Sequence, residues 1–237
     1  MPRVTIIETG LVSLRNRELH GSYPQMFERM IGAADTTVTF NTVSIPAGEP
    51  LPDVERLEAI LITGSSAGVY DGLEWIAPLE QFVRAVHENK VPIVGVCFGH
   101  QLIAQALGGS VRKSEKGWGI GRHVYTVMPG NGLIEGTHIA LACSHQDQVI
   151  APPPGATTIL SSDFTPYAGL LYAGGSTFSV QPHPEFSVGF ALACCEIAHA
   201  KGHAPDSLVA AAKTSLAEPM ENDRLGGVIT RFLTRSR

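Results

Sequence analysis

The run Val91-Pro92-Ile93-Val94-Gly95-Val96-Cys97-Phe98-Gly99-His100-Gln101 constrains this chain more than any other. A short apolar segment ends at Val96, and helix-forming residues begin within a residue or two. An apolar strand without polar alternation is one buried on both faces, the habit of parallel sheets. Cys97 falls in the turn, with Gly95 two residues before it and Gly99 two after. This is the G-x-nucleophile-x-G arrangement of a nucleophile elbow. So sharp a turn holds its central residue in a strained backbone. Neighbours two residues away must be small, or their side chains collide. The turn projects the sulfur above the carboxyl ends of the strands, where open α/β sheets bind ligands. The positive end of the following helix favours a thiolate, and amides there can hold an oxyanion. The competing reading is a buried structural cysteine, the commonest fate of a free thiol. The paired glycines after a buried strand weigh against it.

The rest of the first half alternates in the same way. Val4–Glu8, Thr37–Val43, Ala59–Thr63 and Pro92–Val96 read as strands, and Tyr23–Ile31, Trp75–Asn89 and His100–Leu107 as helices. In Trp75–Asn89 the residues Ile76, Leu79, Phe82, Val83 and Val86 keep helical spacing. Alternating β and α predicts an open, mostly parallel sheet with helices on both faces. From Val111 to Val180 the pattern changes to short strands at His123–Met128, His138–Ala142, Gln148–Ile150, Thr157–Ser161, Leu170–Tyr172 and Thr177–Gln181. This reads as a β-rich insertion or edge of the same domain. Arg112–Lys116 reads as a short, solvated charged turn. Helix returns over Phe186–Ala200, and Lys201–Pro205 breaks it. Helical patterns then run over Asp206–Leu216 and Asn222–Leu233 as an appended segment. The expectation is one domain over residues 1–237, with a core to about residue 200 and a helical C-terminal extension over about 201–237.

Composition narrows the function classes. Hydrophobic residues make up 44% and charged residues 16%, which excludes disorder. Lys plus Arg is 17 against 22 Asp plus Glu, so no broad basic face exists and nucleic acid is not an expected partner. No apolar run approaches the ~18 residues of a membrane-spanning helix. The N-terminal residues Met1 to Glu8 lack the apolar stretch of a secretory signal, so the expected compartment is the cytoplasm. The four cysteines, Cys97, Cys143, Cys194 and Cys195, show no C-x-x-C spacing. Cys143-Ser144-His145 offers only two metal ligands, and no second cluster has zinc-like spacing, so no metal site is expected.

A cysteine nucleophile needs a base. Among nine histidines His183 stands out, because a strand is followed at once by Pro182-His183-Pro184-Glu185. The prolines keep the segment extended, and a His-x-Glu pair there can set the carboxylate beside the imidazole. A capping turn before the next helix is the alternative for these residues. His87, His138, His199 and His203 form no constellation and read as surface or capping residues. His100 reads as structural support.

Together these motifs resemble the class I, triad-type glutamine amidotransferase domains, in the manner of a stand-alone member close to the GMP-synthase amidotransferase type. Gly95–Gln101 resembles the family's nucleophile motif, and Gln181–Glu185 its C-terminal His-x-Glu motif. The resemblance runs over roughly residues 35–200. It implies a flavodoxin-like fold and a catalytic triad of Cys97, His183 and Glu185. Leu61–Ser66 lies where the family has a strand and a Gly-Gly-Pro-like oxyanion loop. Here the loop reads Gly64-Ser65-Ser66, and the implied donors are the Ser65 and Phe98 amides. Gly64, Gln101, Ser144 and His145 are the implied substrate-binding residues, the last two within the S-H-x-D segment Ser144–Asp147. Lys116–Gly119 resembles a Gly-Trp segment of stand-alone members, with little functional weight for Trp118.

The implied activity is hydrolysis of the glutamine side-chain amide through a γ-glutamyl thioester, with no cofactor. The expected ligand is glutamine or another γ-glutamyl small molecule. A separate synthase subunit is the expected partner of the amidotransferase version, since the chain has no P-loop. A free-standing γ-glutamyl peptidase of the same superfamily is the alternative enzyme. A catalytically silent binding protein and a PfpI-type cysteine protein are the alternatives outside it.

Overall fold

A computed structural model describes residues 1–235. The chain opens with β1 (Arg3–Glu8), α1 (Leu14–His20), α2 (Tyr23–Ala34), β2 (Thr39–Ser44), β3 (Ala59–Ile62), α3 (Ile76–Glu88), β4 (Ile93–Val96) and α4 (Phe98–Ala106). Short strands follow: β5 (Ser110–Lys113), β6 (Gly119–Val127), β7 (His138–His145), β8 (Asp147–Ala151), β9 (Thr157–Ser161), β10 (Gly169–Leu171) and β11 (Thr177–Val180). Three helices close the chain: α5 (Val188–Ala200), α6 (Asp206–Ser215) and α7 (Asn222–Thr234).

Nine strands form one sheet in the order β2-β1-β3-β4-β11-β10-β9-β6-β7. The strands from β2 to β11 in that order pair parallel. From β11 onward the pairings are antiparallel. Residues of β3 and β4 are buried throughout, as continuous apolar runs predict.

Strand periodicity sorts these side chains into two cores. Val4, Ile6, Leu61, Val94 and Val96 join one cluster with Phe27 and Ile31 of α2. Ile7, Ile60, Ile62 and Ile93 join the other, with Leu79, Phe82 and Val83 of α3 and Leu102 and Ile103 of α4. The parallel core is thus covered on both faces.

Three elements depart from the sequence-based picture. The helix after Cys97 starts at Phe98, two residues earlier than predicted. Arg112 and Lys113 belong to β5, which pairs with β8, and so are not a free turn. Helix α1 has no signal in the apolar pattern, because its leucines join no core: Leu14 and Leu19 face solvent.

The tail is integral to the fold. Leu225, Val228, Ile229, Phe232 and Leu233 of α7 lie in the same cluster as β1 and α2. Phe232 packs edge-on against Phe178 of β11, with ring centroids 4.7 Å apart. Burying five such side chains contributes roughly 7–15 kcal/mol gross, comparable to the net stability of a whole domain. Glu221 pins the start of α7 by hydrogen bonds in both directions with Ala140 of β7, at 2.8 and 2.9 Å. No helix among the described residues is long and apolar enough to cross a membrane.

Candidate active site

Cys97 has φ 54° and ψ −105°. Among the described non-glycine residues only Lys90 and Cys97 have positive φ. Such a backbone costs about 1–3 kcal/mol and persists where the surroundings impose it. Here they do: the Cys97 amide donates to Val180 O at 2.9 Å, and the Gly99 amide donates to Thr63 O at 3.2 Å. The flanking glycines are required by space. A Cβ on Gly95 would stand 2.5 Å from the Gly99 carbonyl carbon, and one on Gly99 would stand 2.4 Å from Ile62 O. Strand β4, the turn and α4 are therefore locked against β3 and β11. Cys97 is enclosed, at 6% exposure, and does not stand clear above the strand ends as the sequence suggested. It opens instead onto two cavities.

His183 follows β11, the strand beside β4. Its amide donates to Ala142 O of β7 at 2.9 Å, which fixes the Pro-flanked segment across the sheet end. The imidazole Nδ1 lies 2.8 Å from Glu185 Oε1, and both side chains are buried. With Nδ1 donating to the carboxylate, Nε2 is the nitrogen left to face other groups. Phe186 stacks on the ring at 3.9 Å and holds its plane. Burial works against the charged ring, but the Glu185 carboxylate and the Cys97 sulfur outweigh it and raise the His183 pKa well above the usual imidazole range. Gly64 shows how closely these groups converge. A Cβ placed there would lie 3.2 Å from His183 Cε1 and 3.7 Å from Cys97 Cβ.

The loop after β3 is held from beneath. Thr9 donates its amide to Thr63 Oγ1 and its hydroxyl to Thr63 O, both at 3.0 Å. Gly10 touches the same loop so tightly that a Cβ would come within 2.8 Å of Gly64 O and of Ser65 Cα. Neither the Ser65 nor the Phe98 amide donates to another group among the described residues. Both amides are thus unused within the described fold.

Two cavities meet at Cys97. The first, of about 220 Å3, is polar and includes Gln101, Lys113, Ser144, His145, Asp71 and Asp147 in its lining. Gln101 Nε2 donates to Asp147 O at 2.9 Å and to Gln181 Oε1 at 3.1 Å, so it braces the Ser144–Asp147 segment. The two carboxylates converge on Gly68, where a Cβ would lie 2.9 Å from Asp71 Oδ1 and 3.1 Å from Asp147 Oδ2. Burial pushes the Asp147 pKa up, against the Tyr70 hydroxyl and Lys113 that lower it. His145 is buried between Asp147 O (3.1 Å) and Thr165 Oγ1 (3.5 Å). Burial there pushes its pKa down to about 3, so it stays neutral.

The second cavity, of about 310 Å3, includes His183, Gly64, Tyr23, Val12, Phe190 and Ile197. Ser65, Ser66, Trp118, Ser144, Lys201 and His203 line both. Trp118 and His203 stack with centroids 4.9 Å apart at this shared rim. Both therefore carry more of the site than their sequence context suggested. Lys201 and His203, in a stretch read as a helix break, share cavity linings with Cys97 only through the packing of α5 and α6, which no local pattern reveals. Tyr70, Asp71 and Lys113 carry no sequence signal either, since each sits in ordinary polar sequence.

The other histidines serve packing. His100 is fully buried, bonds Ser179 Oγ through Nδ1 at 2.7 Å, and is held neutral by burial, with its pKa pushed down to about 3. His87 bonds Thr177 Oγ1 at 2.8 Å. His199 pairs with Asp206 at 3.4 Å. Among the described residues no group of three or more His, Cys, Asp or Glu side chains is placed to hold a metal ion.

The profile of the family described as glutamine amidotransferase class-I matches residues 17–191. Gamma-glutamyl peptidase 4 of Arabidopsis thaliana is 28% identical over 88% of this chain and 85% of its own length. A glutamine-hydrolyzing GMP synthase subunit of Saccharolobus solfataricus is 31% identical over 60% of this chain and 74% of its own length. Among solved structures, a glutamine amidotransferase of Thermotoga maritima superposes with TM-score 0.74 at 19% identity, covering 99% of both chains. A glutamine amido transferase of Methylobacillus flagellatus superposes with TM-score 0.77 at 20% identity, covering 98% of this chain and 94% of that one. These two likenesses establish the flavodoxin-like arrangement of the sheet.

Proposed function

The chain belongs to the glutamine amidotransferase class-I family, and from that premise we propose that it hydrolyses the side-chain amide of glutamine, or another γ-glutamyl amide, with Cys97, His183 and Glu185 as its triad. One observation carries the reading: an imidazole bonded to a buried carboxylate at 2.8 Å lines the same cavity as a sulfur in a strained turn.

The chemistry proceeds in two halves. The Cys97 thiolate attacks the amide carbon, and the carbonyl oxygen becomes an oxyanion between the Ser65 and Phe98 amides. Imidazolium His183 gives its proton to the leaving nitrogen, the C–N bond breaks, and ammonia or an amine departs. Neutral His183 then takes a proton from water, whose oxygen attacks the thioester carbon. The C–S bond breaks, the γ-carboxyl group of glutamate forms, and the thiolate returns. Glu185 keeps Nδ1 protonated throughout and stabilises the imidazolium. The polar cavity accepts the zwitterionic end of the substrate. Asp71 and Asp147 suit the α-ammonium group, while Lys113 suits the α-carboxylate.

A free-standing γ-glutamyl hydrolase is the second reading, favoured by a match that spans 85% of gamma-glutamyl peptidase 4. A chain that feeds ammonia to a separate synthase is the version suggested by likeness to the GMP synthase subunit of Saccharolobus solfataricus. Purified chain assayed alone separates them: release of glutamate from glutamine without a partner supports the free-standing enzyme. Cys97→Ala is expected to lower either activity by about 10⁴-fold or more. Retention of full activity in that variant would remove the nucleophile and the proposal with it.

A further inference from the structure

The two cavities at Cys97 differ in chemistry, and only one of them contains the general acid. His183 lines the larger cavity and is absent from the lining of the polar one. In amide cleavage the acid must reach the departing nitrogen. If the glutamyl half sits in the polar cavity, the leaving nitrogen therefore points into the cavity that holds His183. That cavity is far too large for ammonia. A bound water needs roughly 10–15 Å3 of such space, and about 310 Å3 is available here. Its walls are mostly apolar and aromatic, with Leu11, Val12, Tyr23, Trp118 and Ile197, and include the polar Ser13, Asn16 and Ser66. Lys201 is the one Lys or Arg among the described residues that line it, and no Asp or Glu is among them.

We propose that this cavity is an amine-side subsite for γ-glutamyl amino acids whose second residue carries an apolar or aromatic side chain. Its side chain lies against Val12, Tyr23 and Ile197, and its carboxylate faces Lys201. The absence of lining carboxylates suits that anion, just as the paired carboxylates of the other cavity suit an α-ammonium group. This inference rests on the triad reading above, since it takes His183 as the acid.

The test compares kcat/KM for γ-glutamyl-phenylalanine, γ-glutamyl-phenylalanine amide, γ-glutamylglycine and glutamine on the intact chain. Burial of a Phe-sized side chain predicts that γ-glutamyl-phenylalanine exceeds γ-glutamylglycine by about tenfold or more. Masking its carboxylate as the amide is expected to lower kcat/KM by about threefold to tenfold. Ile197 is 36% exposed on α5, so a polar residue there is compatible with the fold. Ile197→Glu is expected to cut the phenylalanine-to-glycine ratio by about fivefold or more, with the thermal midpoint checking that the chain stays folded. Equal kcat/KM for the phenylalanine and glycine compounds, with glutamine turned over, overturns the subsite and leaves the triad standing. A ratio unmoved by Ile197→Glu also overturns it. If none of the four compounds is cleaved, the subsite is overturned, and absence of reaction between Cys97 and the glutamine-like electrophile diazo-oxo-norleucine then shows that the triad reading falls with it.

Discussion

The parallel half of the sheet, β2-β1-β3-β4-β11, and the antiparallel half, β10-β9-β6-β7, contribute to the site in different ways. Three adjacent parallel strands end at one edge. From β3 comes the Gly64-Ser65 loop, from β4 comes Cys97, and from β11 comes His183. Their alignment follows from the strands running the same way, so the groups converge where open α/β sheets place ligands. The antiparallel half supplies walls and braces. Ala142 holds the His183 amide, Ser144 to Asp147 form the polar cavity, and Trp118 stands at the rim. The groups proposed to make and break bonds sit at the ends of adjacent parallel strands, whereas those proposed to select the substrate are brought in by pairings between distant segments.

This contrast can be broken experimentally, and the largest effects belong to the parallel half. Glu185→Gln is expected to lower kcat by about 10²–10⁴-fold, because an amide that can also donate replaces the acceptor-only carboxylate that fixes the imidazole tautomer and supports its charge. The same variant carries a signed pH test. Burial tends to lower the His183 pKa, and Glu185 is the leading group that raises it. Removing that carboxylate must therefore move the alkaline limb of kcat/KM to lower pH. A limb that stays in place means that Glu185 does not act through His183.

Gly99→Ala tests the backbone itself. Its Cβ would meet Ile62 O at 2.4 Å, and overpacking of this kind costs about 3 kcal/mol. A melting point lower by about 6–12 °C is expected from calorimetry. An unchanged melting point would show that the elbow tolerates a side chain and is not sterically locked.

How much of this is legible in the residues follows the same division. Buried parallel strands are continuous apolar runs, so β1, β3 and β4 stand out in the sequence, as do Gly95 and Gly99 about Cys97. The Q-P-H-P-E segment is equally local. Strand β5 is hidden because only Val111 of its residues faces inward. The role of α7 is hidden because amphipathic spacing shows that a helix packs, not what it packs on. Lys201, His203 and Asp71 reach the site through folding alone.

The antiparallel half sharpens the comparison with a smaller effect. Asp147→Asn is expected to raise KM for glutamine by about tenfold with little change in kcat, since the carboxylate is proposed to hold the substrate and not the reacting atoms. A fall in kcat alone would place Asp147 in the chemical step.

A further effect, on stability and not on turnover, joins both halves through pH. His100 of α4 and His145 of β7 are buried and neutral, each with its pKa pushed from 6.5 to about 3. Between those values the unfolded chain binds protons that the folded chain does not. Stability is thus complete above about pH 6.5 and is lost as pH falls towards 3, by up to about 1.4 kcal/mol per pH unit for each histidine. Urea unfolding at pH 6.5, 5.5 and 4.5 measures the slope. His145→Gln should lessen it by about one proton, and an unaltered slope would show that His145 takes up a proton in the folded state.

The central claim is that Cys97 is a nucleophile made reactive by His183. Its most direct test is mass spectrometry of the chain after exposure to the glutamine-like electrophile diazo-oxo-norleucine, in the unaltered protein and in His183→Ala. The account predicts one adduct, on Cys97, that forms at least about a hundredfold more slowly once His183 is gone. An adduct on Cys194 in place of Cys97, or labelling of Cys97 at the same rate in both proteins, would contradict it.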